Sequence, residues 1–359
     1  MNNKLRKVLK RIEENGFEAY IVGGYVRDHI LGIESTDIDI CTNALPKDII
    51  KIFKVTGKSE YGSFTIKIGK YNIDITTYRS ESNYVNRKPQ TVEYIDNLIT
   101  DIKRRDFTIN SLCMNSSGQI IDLLDGRKDI EKRIIRVIGD LEQKLTEDPL
   151  RILRAVRFSI ILDFALDEKI IIFIKKNKNL IKTLSYTKIK AELDRIFSSK
   201  RVKEGLKVLK DLDLLGVLGI NYQDIKIVPD ILGIWAQIEF DKNYPFTKNN
   251  LQCINKIRAI IKNKELKSRI LFENDLYVLM VAGEILDYQR TEITRMYSSL
   301  PIKSIKNLKI TTDDIIKLLN INPSSKIKQI YDDLIDKILS NEIKNNYTSL
   351  KKYLLNKWK

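Results

Sequence analysis

The first third of the chain alternates short apolar runs with turn residues, a pattern typical of strands and short helices. AYIVGG (19–24) predicts a strand ending in a turn, and STDIDICT (35–42) predicts another strand. Between them, VRDHILG predicts a helix that Gly32 closes. SFTIKIGKYNIDITTYR (63–79) alternates around Gly69 as a β-hairpin does. These segments predict a mixed α/β domain at the amino terminus.

Beyond about residue 127, apolar residues recur at helical spacing and strand patterns nearly vanish. Examples are DPLRILRAVRFSIILDFAL (148–166), KIKAELDRIFSSK (188–200) and DIIKLLN (314–320). A chain of 359 residues is too long for one ordinary core, so we expect two to four domains. The predicted fold class is therefore α+β, with a mixed sheet in the amino-terminal domain and an all-helical remainder.

The charge balance is strongly basic. Lys and Arg number 63 against 47 Asp and Glu, which gives a net charge of +16. A nucleic-acid partner is the natural functional reading of such a surplus. A composition rich in Lys, Ile and Asn is also expected from an A/T-rich genome, so charge alone leaves both explanations open. No apolar run is long enough to span a bilayer and no signal peptide is recognisable, so we expect a cytoplasmic protein.

Histidine and cysteine are too scarce for several common kinds of site. The three cysteines are scattered without a CxxC pair, which argues against a disulfide framework and a zinc site. The single histidine, His29, argues against a histidine-rich metal centre and a Ser-His-Asp triad, and we interpret it as a helix-surface residue. Chemistry in this chain is therefore expected to use carboxylates, arginines and metal.

Three aspartates lie on predicted strands. Asp37 and Asp39 alternate with Ile38 and Ile40, so both carboxylates should lie on one face of the strand. Such a pair either faces water or holds a cation, and alone it does not distinguish the two. Asp74 lies on another apolar strand, where a carboxylate is costly without a cation. Three such acids suit a two-metal site for phosphoryl transfer.

The segment GGYVRD (23–28) is suited to binding phosphate. Glycines after a strand let backbone N–H groups approach an anion, and an arginine adds charge-assisted hydrogen bonds. The pattern is neither GxGxxG nor GxxxxGK[ST], which disfavours dinucleotide binding and a P-loop.

Four motifs occur in one order along the chain: GGYVRD, DID, RRDFTIN (104–110) and EDPLR (147–151). Together they resemble the class II tRNA nucleotidyltransferases, a family that contains bacterial CCA-adding enzymes and poly(A) polymerases. The resemblance covers nearly the whole chain. It implies a polymerase-β-like nucleotidyltransferase head followed by helical neck, body and tail in a seahorse shape, with expected boundaries at 1–140, 141–200, 201–265 and 266–359.

The resemblance also implies a reaction and a set of site residues. The reaction is addition of C, C and A to tRNA 3′ ends from CTP and ATP, with two Mg²⁺ ions. Implied to hold the metals are Asp37, Asp39 and Asp74. Implied to bind the nucleotide are Gly23, Gly24 and Arg27 at the triphosphate, Arg105, Asp106 and Asn110 at ribose and phosphates, and Asp148 and Arg151 as the amino-acid template for the base.

The hydrogen-bonding groups of Asp148 and Arg151 limit which bases the pair can bind. Asp148 only accepts and Arg151 only donates, so the pair suits a base edge with an exocyclic amine beside a ring-nitrogen acceptor. Cytosine and adenine present that edge, whereas uracil and guanine do not. The spacing predicts both side chains on one face of a helix, where an ordinary surface salt bridge is the alternative interpretation. Arg154 and Arg157 follow at the same three-residue spacing, and we expect them to contact a phosphate or stack on the base.

Two further features bear on the product. The region 78–94 corresponds to a flexible loop that the family needs for adding A, which favours full CCA addition. In the neck, Thr187 and Lys188 stand where the family usually has Glu-Arg, although Glu192 is retained; Lys cannot reproduce the planar fork of Arg. A poly(A) polymerase, a CC-adding enzyme and a non-catalytic RNA-binding protein remain alternatives.

Overall fold

The computed structural model describes residues 1–55, 62–85, 87–323 and 325–359. The chain forms two compact units, Met1–Gly219 and Ile220–Lys359. The predicted four-part division is finer than this division into units and stays a prediction.

The first part of the Met1–Gly219 unit is the mixed α/β region that the sequence predicts. In chain order its described elements are α1 (Asn3–Glu13), β1 (Ala19–Val22), α2 (Gly24–Ile30), β2 (Asp37–Thr42), α3 (Pro46–Phe53), β3 (Ser63–Ile68), β4 (Tyr71–Thr77), β5 (Arg79–Val85), β6 (Lys88–Tyr94), α4 (Leu98–Lys103), β7 (Cys113–Met114), β8 (Ile120–Ile121), α5 (Gly126–Glu131) and β9 (Ile134–Ile135).

A mixed sheet organises this region. Within the described residues its six strands lie in the order β3-β4-β2-β1-β7-β8. Strands β2 and β4 pair in parallel, and the other neighbours pair antiparallel. On β2, Ile38 and Ile40 are buried while Asp37 and Asp39 are exposed, so the predicted alternation is confirmed. The apolar face packs in the core and the acidic face is left for a site.

The hairpin predicted around Gly69 is confirmed. Strands β3 and β4 pair from Ser63↔Thr76 to Ile68↔Tyr71. Gly69 has φ +63°, a left-handed conformation that glycine adopts without a Cβ clash. The tight turn brings the start of β4 back against β3, which places Asp74 in the interior of the sheet.

The segment 78–94, expected to be a loop, is instead an antiparallel hairpin in its described residues. Strands β5 and β6 pair from Arg79↔Tyr94 to Val85↔Lys88 and form a separate two-stranded sheet. Its β-branched and aromatic residues favour extended backbone, and Arg79 at its root donates to Glu81 at 2.6 Å. The loop expectation is therefore corrected for this region.

The rest of this unit is helical, as predicted. Its elements are α6 (Leu141–Glu147), α7 (Leu150–Leu162), β10 (Ala165–Leu166), α8 (Glu168–Asn177), α9 (Tyr186–Phe197), α10 (Val202–Asp211) and α11 (Leu215–Leu218). Helix α7 is mostly buried and packs against α9 and α10. A Cβ on Gly205 of α10 would lie 2.7 Å from Ile196 Cγ2, so only glycine permits this close approach.

The Ile220–Lys359 unit is also almost entirely helical. Its elements are β11 (Ile220–Asn221), α12 (Ile231–Ala236), β12 (Glu239–Phe240), α13 (Lys248–Asn263), α14 (Ser268–Glu273), α15 (Leu276–Ile285), α16 (Arg290–Ser298), α17 (Thr312–Leu319), α18 (Ser325–Leu339) and α19 (Tyr347–Lys357). Trp235 is fully buried among Phe240, Tyr244 and Phe246. None of the helices in the described residues combines the length and apolarity needed to cross a bilayer.

Candidate active site

A cavity of about 580 Å³ opens within the Met1–Gly219 unit. It gathers residues from the β1–α2 turn, β2, β5, the segment after α4, the α6–α7 junction, α7 and α9. Its lining is Gly23, Gly24, Arg27, Asp37, Asp39, Arg79, Glu81, Arg104, Arg105, Asp106, Asn110, Asp148, Arg151, Arg154, Arg157, Phe158 and Arg195. All the predicted site residues except Asp74 are in this lining.

The three predicted metal ligands lie on adjacent strands. In the parallel pairing of β2 and β4, Asp39 stands opposite Asp74. Asp39 is open to the cavity, but the protein packed around its carboxyl group removes enough water to raise its pKa; Arg105 opposes this shift, and the charges of Asp74 and Asp37 add to it. A carboxylate crowded by two others is an arrangement that a cation would relieve.

The carboxylates do not converge on one point as the structure places them. Asp74 accepts a hydrogen bond from Thr65 Oγ1 at 2.5 Å and does not line the cavity. Among the described residues, no three side chains of His, Cys, Asp or Glu are gathered closely enough to hold a metal ion. The donor chemistry and the shared strand face fit a divalent ion, but Asp74 is engaged by β3.

The β1–α2 turn brings backbone close to these acids. Gly23 has φ +79°, which disfavours any residue with a Cβ. A Cβ built there would lie 3.6 Å from Asp39 Oδ2 and 3.8 Å from Arg105 Nη1. One turn later, buried Arg27 donates from Nη1 to Asn110 Oδ1 at 2.7 Å. The β1–α2 segment therefore lies between Asp39 and the RRDFTIN segment and contacts both.

Asp106 is a buried acceptor at the centre of that segment. Arg154 donates to its Oδ2 from Nε at 2.8 Å and from Nη2 at 2.5 Å, and Asn110 Nδ2 donates to Oδ1 at 3.1 Å. Burial raises the pKa of Asp106, but the charge of Arg154 and these hydrogen bonds outweigh it and leave the pKa lowered. The carboxylate is thus ionised and orients Arg154 and Asn110 in the cavity wall.

Three arginines of the cavity pack around one aromatic ring. The guanidinium carbons of Arg157, Arg27 and Arg154 lie 4.0, 5.1 and 5.4 Å from the ring centroid of Phe158. Each arginine also has its own carboxylate partner, and the pairs are Arg27–Asp28, Arg154–Asp106 and Arg157–Glu192. The ring and the acids together offset the mutual repulsion of three cations.

The predicted helical placement of Asp148 is wrong. Helix α6 ends at Glu147 and α7 begins at Leu150, with Asp148 at φ −137° between them. Pro149 lacks an N–H to continue α6 and disfavours helical backbone at the preceding residue. Asp148 Oδ1 instead accepts from Leu150 N at 3.1 Å. The template pair therefore spans a helix junction.

The two template residues have separate partners. Arg151 Nη1 donates to Lys144 O at 3.0 Å, and Nη2 donates to Arg104 O at 3.4 Å. Asp148 Oδ1 accepts from Arg87 Nε, at the tip of the β5–β6 hairpin. The surface salt bridge between Asp148 and Arg151, the alternative interpretation, is absent from the ion pairs of the described residues. Both side chains nevertheless line the cavity.

The departure from the family pattern in the neck lies away from the cavity lining. Thr187 and Lys188 are exposed in the first turns of α9 and do not line the cavity. Glu192, deeper in α9, is buried and accepts from Arg157 at 2.5 Å and Arg195 at 2.9 Å. His29 is also exposed, stacked on Tyr25, as its helix-surface interpretation predicts.

The sequence reasoning missed five lining residues, which are Arg79, Glu81, Arg104, Phe158 and Arg195. Arg104 and Phe158 are the sequence neighbours of Arg105 and Arg157, so their position in the chain was an available signal. Arg195 lies one turn after Glu192, and the same helical spacing could have found it. Arg79 and Glu81 had no signal of their own, because their place in the cavity depends on how the hairpin packs.

Family models match three parts of the chain. Residues 19–136 match the model described as Poly A polymerase head domain. Residues 163–219 match the model described as "Probable RNA and SrmB- binding site of polymerase A", and residues 239–354 match the model described as "tRNA nucleotidyltransferase domain 2 putative".

Full-length relatives are similar along nearly the whole chain. The CCA-adding enzyme of Ligilactobacillus salivarius is 31% identical, covering 96% of this chain and 93% of the relative. That of Lactobacillus delbrueckii subsp. bulgaricus is 33% identical, covering 97% and 96%. These relatives favour CCA addition over the poly(A), CC-only and non-catalytic alternatives.

Solved structures agree on the fold. The Bacillus stearothermophilus CCA-adding enzyme in complex with CTP superposes with a TM-score of 0.86 at 24% identity, covering 99% of this chain and 98% of the other. The Thermotoga maritima CCA-adding enzyme complexed with tRNA has a TM-score of 0.68 at 20% identity, covering 99% and 96%. The predicted α+β fold with a polymerase-β-like head is confirmed. The chain therefore belongs to the CCA-adding enzymes, and it is a nucleotidyltransferase.

Proposed function

We propose that this chain adds C, C and A to the 3′ ends of tRNA from CTP and ATP, in the cytoplasm and without a nucleic-acid template. The observation that carries the proposal is one cavity that holds both an acidic strand face and a separate Asp-Arg pair for the base. Phosphoryl transfer and base selection can then take place on one bound nucleotide. The relatives named for CCA addition support the same reaction.

Asp37, Asp39 and Asp74 are the proposed metal ligands. Carboxylate oxygens are the ligands that Mg²⁺ prefers, and two of the three acids face the cavity. Asp74 has one oxygen engaged by Thr65, which leaves its second oxygen for a cation. The chemistry supplied by two bound Mg²⁺ ions would be a lower pKa for the attacking 3′ hydroxyl and charge stabilisation at the leaving pyrophosphate.

The triphosphate is proposed to lie along Gly23, Gly24, Arg27 and Arg105. Gly23 lines the cavity with backbone alone, and a Cβ there would take up space beside both Asp39 and Arg105, where the phosphate is proposed to bind. Arg27 is held by Asp28 and Asn110, so its guanidinium is oriented before the nucleotide arrives. Arginine forks match phosphate oxygens in geometry and charge. This region therefore binds and orients the triphosphate next to the acids.

Asp106 and Asn110 are proposed to act with Arg154 at the ribose and phosphates. Asp106 accepts from both of the others, which fixes Arg154 in the wall. Arg157 is similarly held by buried Glu192. These ion pairs orient the arginines in advance, which lowers the entropy cost of binding a charged substrate.

Asp148 and Arg151 are proposed to select the base. Both line the cavity, and their different backbone positions place an acceptor and a donor at the helix junction. An exocyclic amine donates to Asp148 while a ring nitrogen accepts from Arg151. Cytosine and adenine satisfy both contacts. Uracil and guanine would set a carbonyl against the carboxylate and an N–H against the guanidinium, which leaves two unpaired groups.

The test is end-sequencing of a tRNA that lacks its last three nucleotides. The protein is supplied with each NTP separately and then with CTP and ATP together, in Mg²⁺. We expect two C residues with CTP alone and CCA with both, and none with UTP or GTP. A run of A residues, a stop after CC with both nucleotides, or no metal-dependent incorporation would contradict the proposal.

Base selection is tested separately with Asp148→Ala. The ratio of CTP to UTP incorporation should fall by roughly tenfold or more, because one discriminating hydrogen bond to a charged group is lost. Glu147→Ala is the matched control, since this neighbouring acid does not line the cavity. Unchanged discrimination in Asp148→Ala would remove the base-reading role and leave the overall reaction standing.

A further inference from the structure

One buried carboxylate beside the site has no role in the reaction described above. Asp101, on α4, has a side chain with no exposed surface and does not line the cavity. Its Oδ1 accepts from Arg104 Nε at 2.9 Å and from the backbone N–H of Arg79 at 3.2 Å. Its Oδ2 accepts from Arg105 Nη2 at 3.3 Å. A single acid thus contacts the hairpin root and two arginines that line the cavity.

Arg105 depends on this acid for its orientation. Its Nη1 lies toward Gly23, and its buried Nε has no hydrogen-bond partner among the described residues. Within the described parts of the chain, the hydrogen bond to Asp101 is therefore the side-chain contact that fixes the guanidinium plane. Burial lowers the pKa of Arg105, but the charges of acids, with Asp101 ahead of Asp39, outweigh it and leave the pKa raised.

The acid is itself held from two directions. Its Oδ1 is anchored by the backbone of Arg79 at the start of β5, which does not depend on any side-chain rotamer. Glu81, also on β5, accepts from Arg79 Nε at 2.6 Å and from Arg104 Nη1 at 3.4 Å. The hairpin root therefore holds Oδ1 of Asp101 in place, and Oδ2 accepts from Arg105.

We propose that Asp101 is a positioning residue that holds the Arg105 guanidinium in its place at the nucleotide triphosphate, using the root of the β5–β6 hairpin as its anchor. This inference rests on the proposed function, because Arg105 is assigned there to the triphosphate. Asp101 acts through Arg105 and does not touch the substrate. A buried ion pair that only stabilises the fold is the competing explanation.

A double-mutant cycle separates the two explanations. Asp101→Asn keeps the size and one acceptor oxygen but removes the charge, and Arg105→Ala removes the group it positions. We expect Asp101→Asn to raise KM for both CTP and ATP by about tenfold, the equivalent of one charge-assisted contact, with kcat changed less than about threefold. In the Arg105→Ala background, Asp101→Asn should cause no further rise in KM.

Asp129→Asn is the matched control for loss of a buried carboxylate. Asp129 is 4% exposed, accepts from Thr108 Oγ1 at 2.6 Å and does not line the cavity. Its removal should lower the unfolding temperature and leave KM for CTP unchanged. If Asp101→Asn does not fold, the same cycle is run with Asp101→Glu, which keeps the charge but displaces it by one methylene and should raise KM in the same direction.

The outcomes distinguish this inference from the proposed function. Two results would overturn the positioning role alone. One is that Asp101→Asn raises KM as much in the Arg105→Ala background as in the wild type. The other is that KM is unchanged in every folded Asp101 variant. A wild-type protein that neither incorporates CMP nor binds CTP would overturn the proposed function and this inference together. Equal KM values for Arg105→Ala and the double variant would establish the role.

Discussion

Arg87 and Asp148, which are 61 positions apart in the chain, form an ion pair that ties the β5–β6 hairpin to the cavity lining. Arg87 lies at the tip of the β5–β6 hairpin and Asp148 at the α6–α7 junction. Both side chains are about one-fifth exposed. Arg87 and the N–H of Leu150 use the same oxygen, Oδ1, so the pair fixes the carboxylate and leaves Oδ2 for a base amine.

Removing Arg87 should therefore loosen base selection. In Arg87→Ala we expect the preference for CTP over UTP to fall by about tenfold, since a charge-assisted contact of this kind orients Asp148. The measurement is incorporation from each nucleotide onto a tRNA lacking its terminal residues. Lys88→Ala, the next residue on the hairpin, is the control and should retain full discrimination. An unchanged CTP to UTP ratio in Arg87→Ala would contradict the orienting role.

Ionised Asp39 should lower the stability of the metal-free protein, although the proposed reaction requires it. Its pKa is raised by burial and by Asp74 and Asp37. A carboxyl group with a raised pKa in the folded protein stabilises at low pH, and this contribution is lost as pH rises through that pKa. At pH 7 in EDTA, Asp39→Asn should therefore unfold at a higher temperature than the wild type.

Metal addition should reverse that order. Mg²⁺ should raise the unfolding temperature of the wild type but not of Asp39→Asn, because only the wild type retains the full acid set. Nucleotide incorporation by Asp39→Asn should fall at least about a thousandfold. Asp48→Asn, on α3 outside the cavity, is the control for loss of an acid. Retained incorporation in Asp39→Asn would remove Asp39 from the proposed metal site.

Phe158 should matter for activity through the three arginines on its ring. In Phe158→Leu we expect kcat/KM for CTP and ATP to fall by about tenfold or more, because the cation–π contacts that orient the guanidinium groups are lost. Phe158→Tyr keeps the ring and should stay near wild type. Phe173→Leu, a buried phenylalanine on α8 outside this cavity, controls for lost packing. Equal activity in Phe158→Leu and Phe173→Leu would contradict the orienting role.

Lys144 gives a pH signature. Burial, followed by the charge of Arg151, lowers its pKa to about 8, and its Nζ donates to Lys103 O at 3.0 Å. Because the unfolded chain holds this proton up to its ordinary pKa of 10.5, the free energy of unfolding should rise between pH 8 and 10.5.

Lys144→Met should remove that rise. Chemical denaturation at several pH values checks it, with the exposed Lys132→Met as control. The gain in stability of Lys144→Met over wild type should be largest at or below pH 8 and shrink above it. Parallel curves for the two proteins would show that Lys144 does not titrate in this range.

Much of the fold was predictable because its signals are local. Alternation on β2 and β4, the turn at Gly69 and the helical periodicity after residue 127 all reflect which face of an element meets the core. The helix break at Asp148 also has a local signal, because Pro149 follows it. The three-residue spacing from Asp148 to Arg151 indicated a continuous helix instead. The hairpin in 78–94 has no comparable local signal, because its strands are mostly polar and form a separate two-stranded sheet.

The sequence by itself determined the acids, the glycine turn and the arginine series, because strand and helix periods dictate which side chains share a face. Only the tertiary structure decided what those groups touch. The ion pair of Arg87 with Asp148, the packing of Arg27 on the ring of Phe158 and the hydrogen bond from the Arg79 N–H to Asp101 all join segments distant in the chain. Such contacts arise from how whole elements pack, which no local pattern specifies.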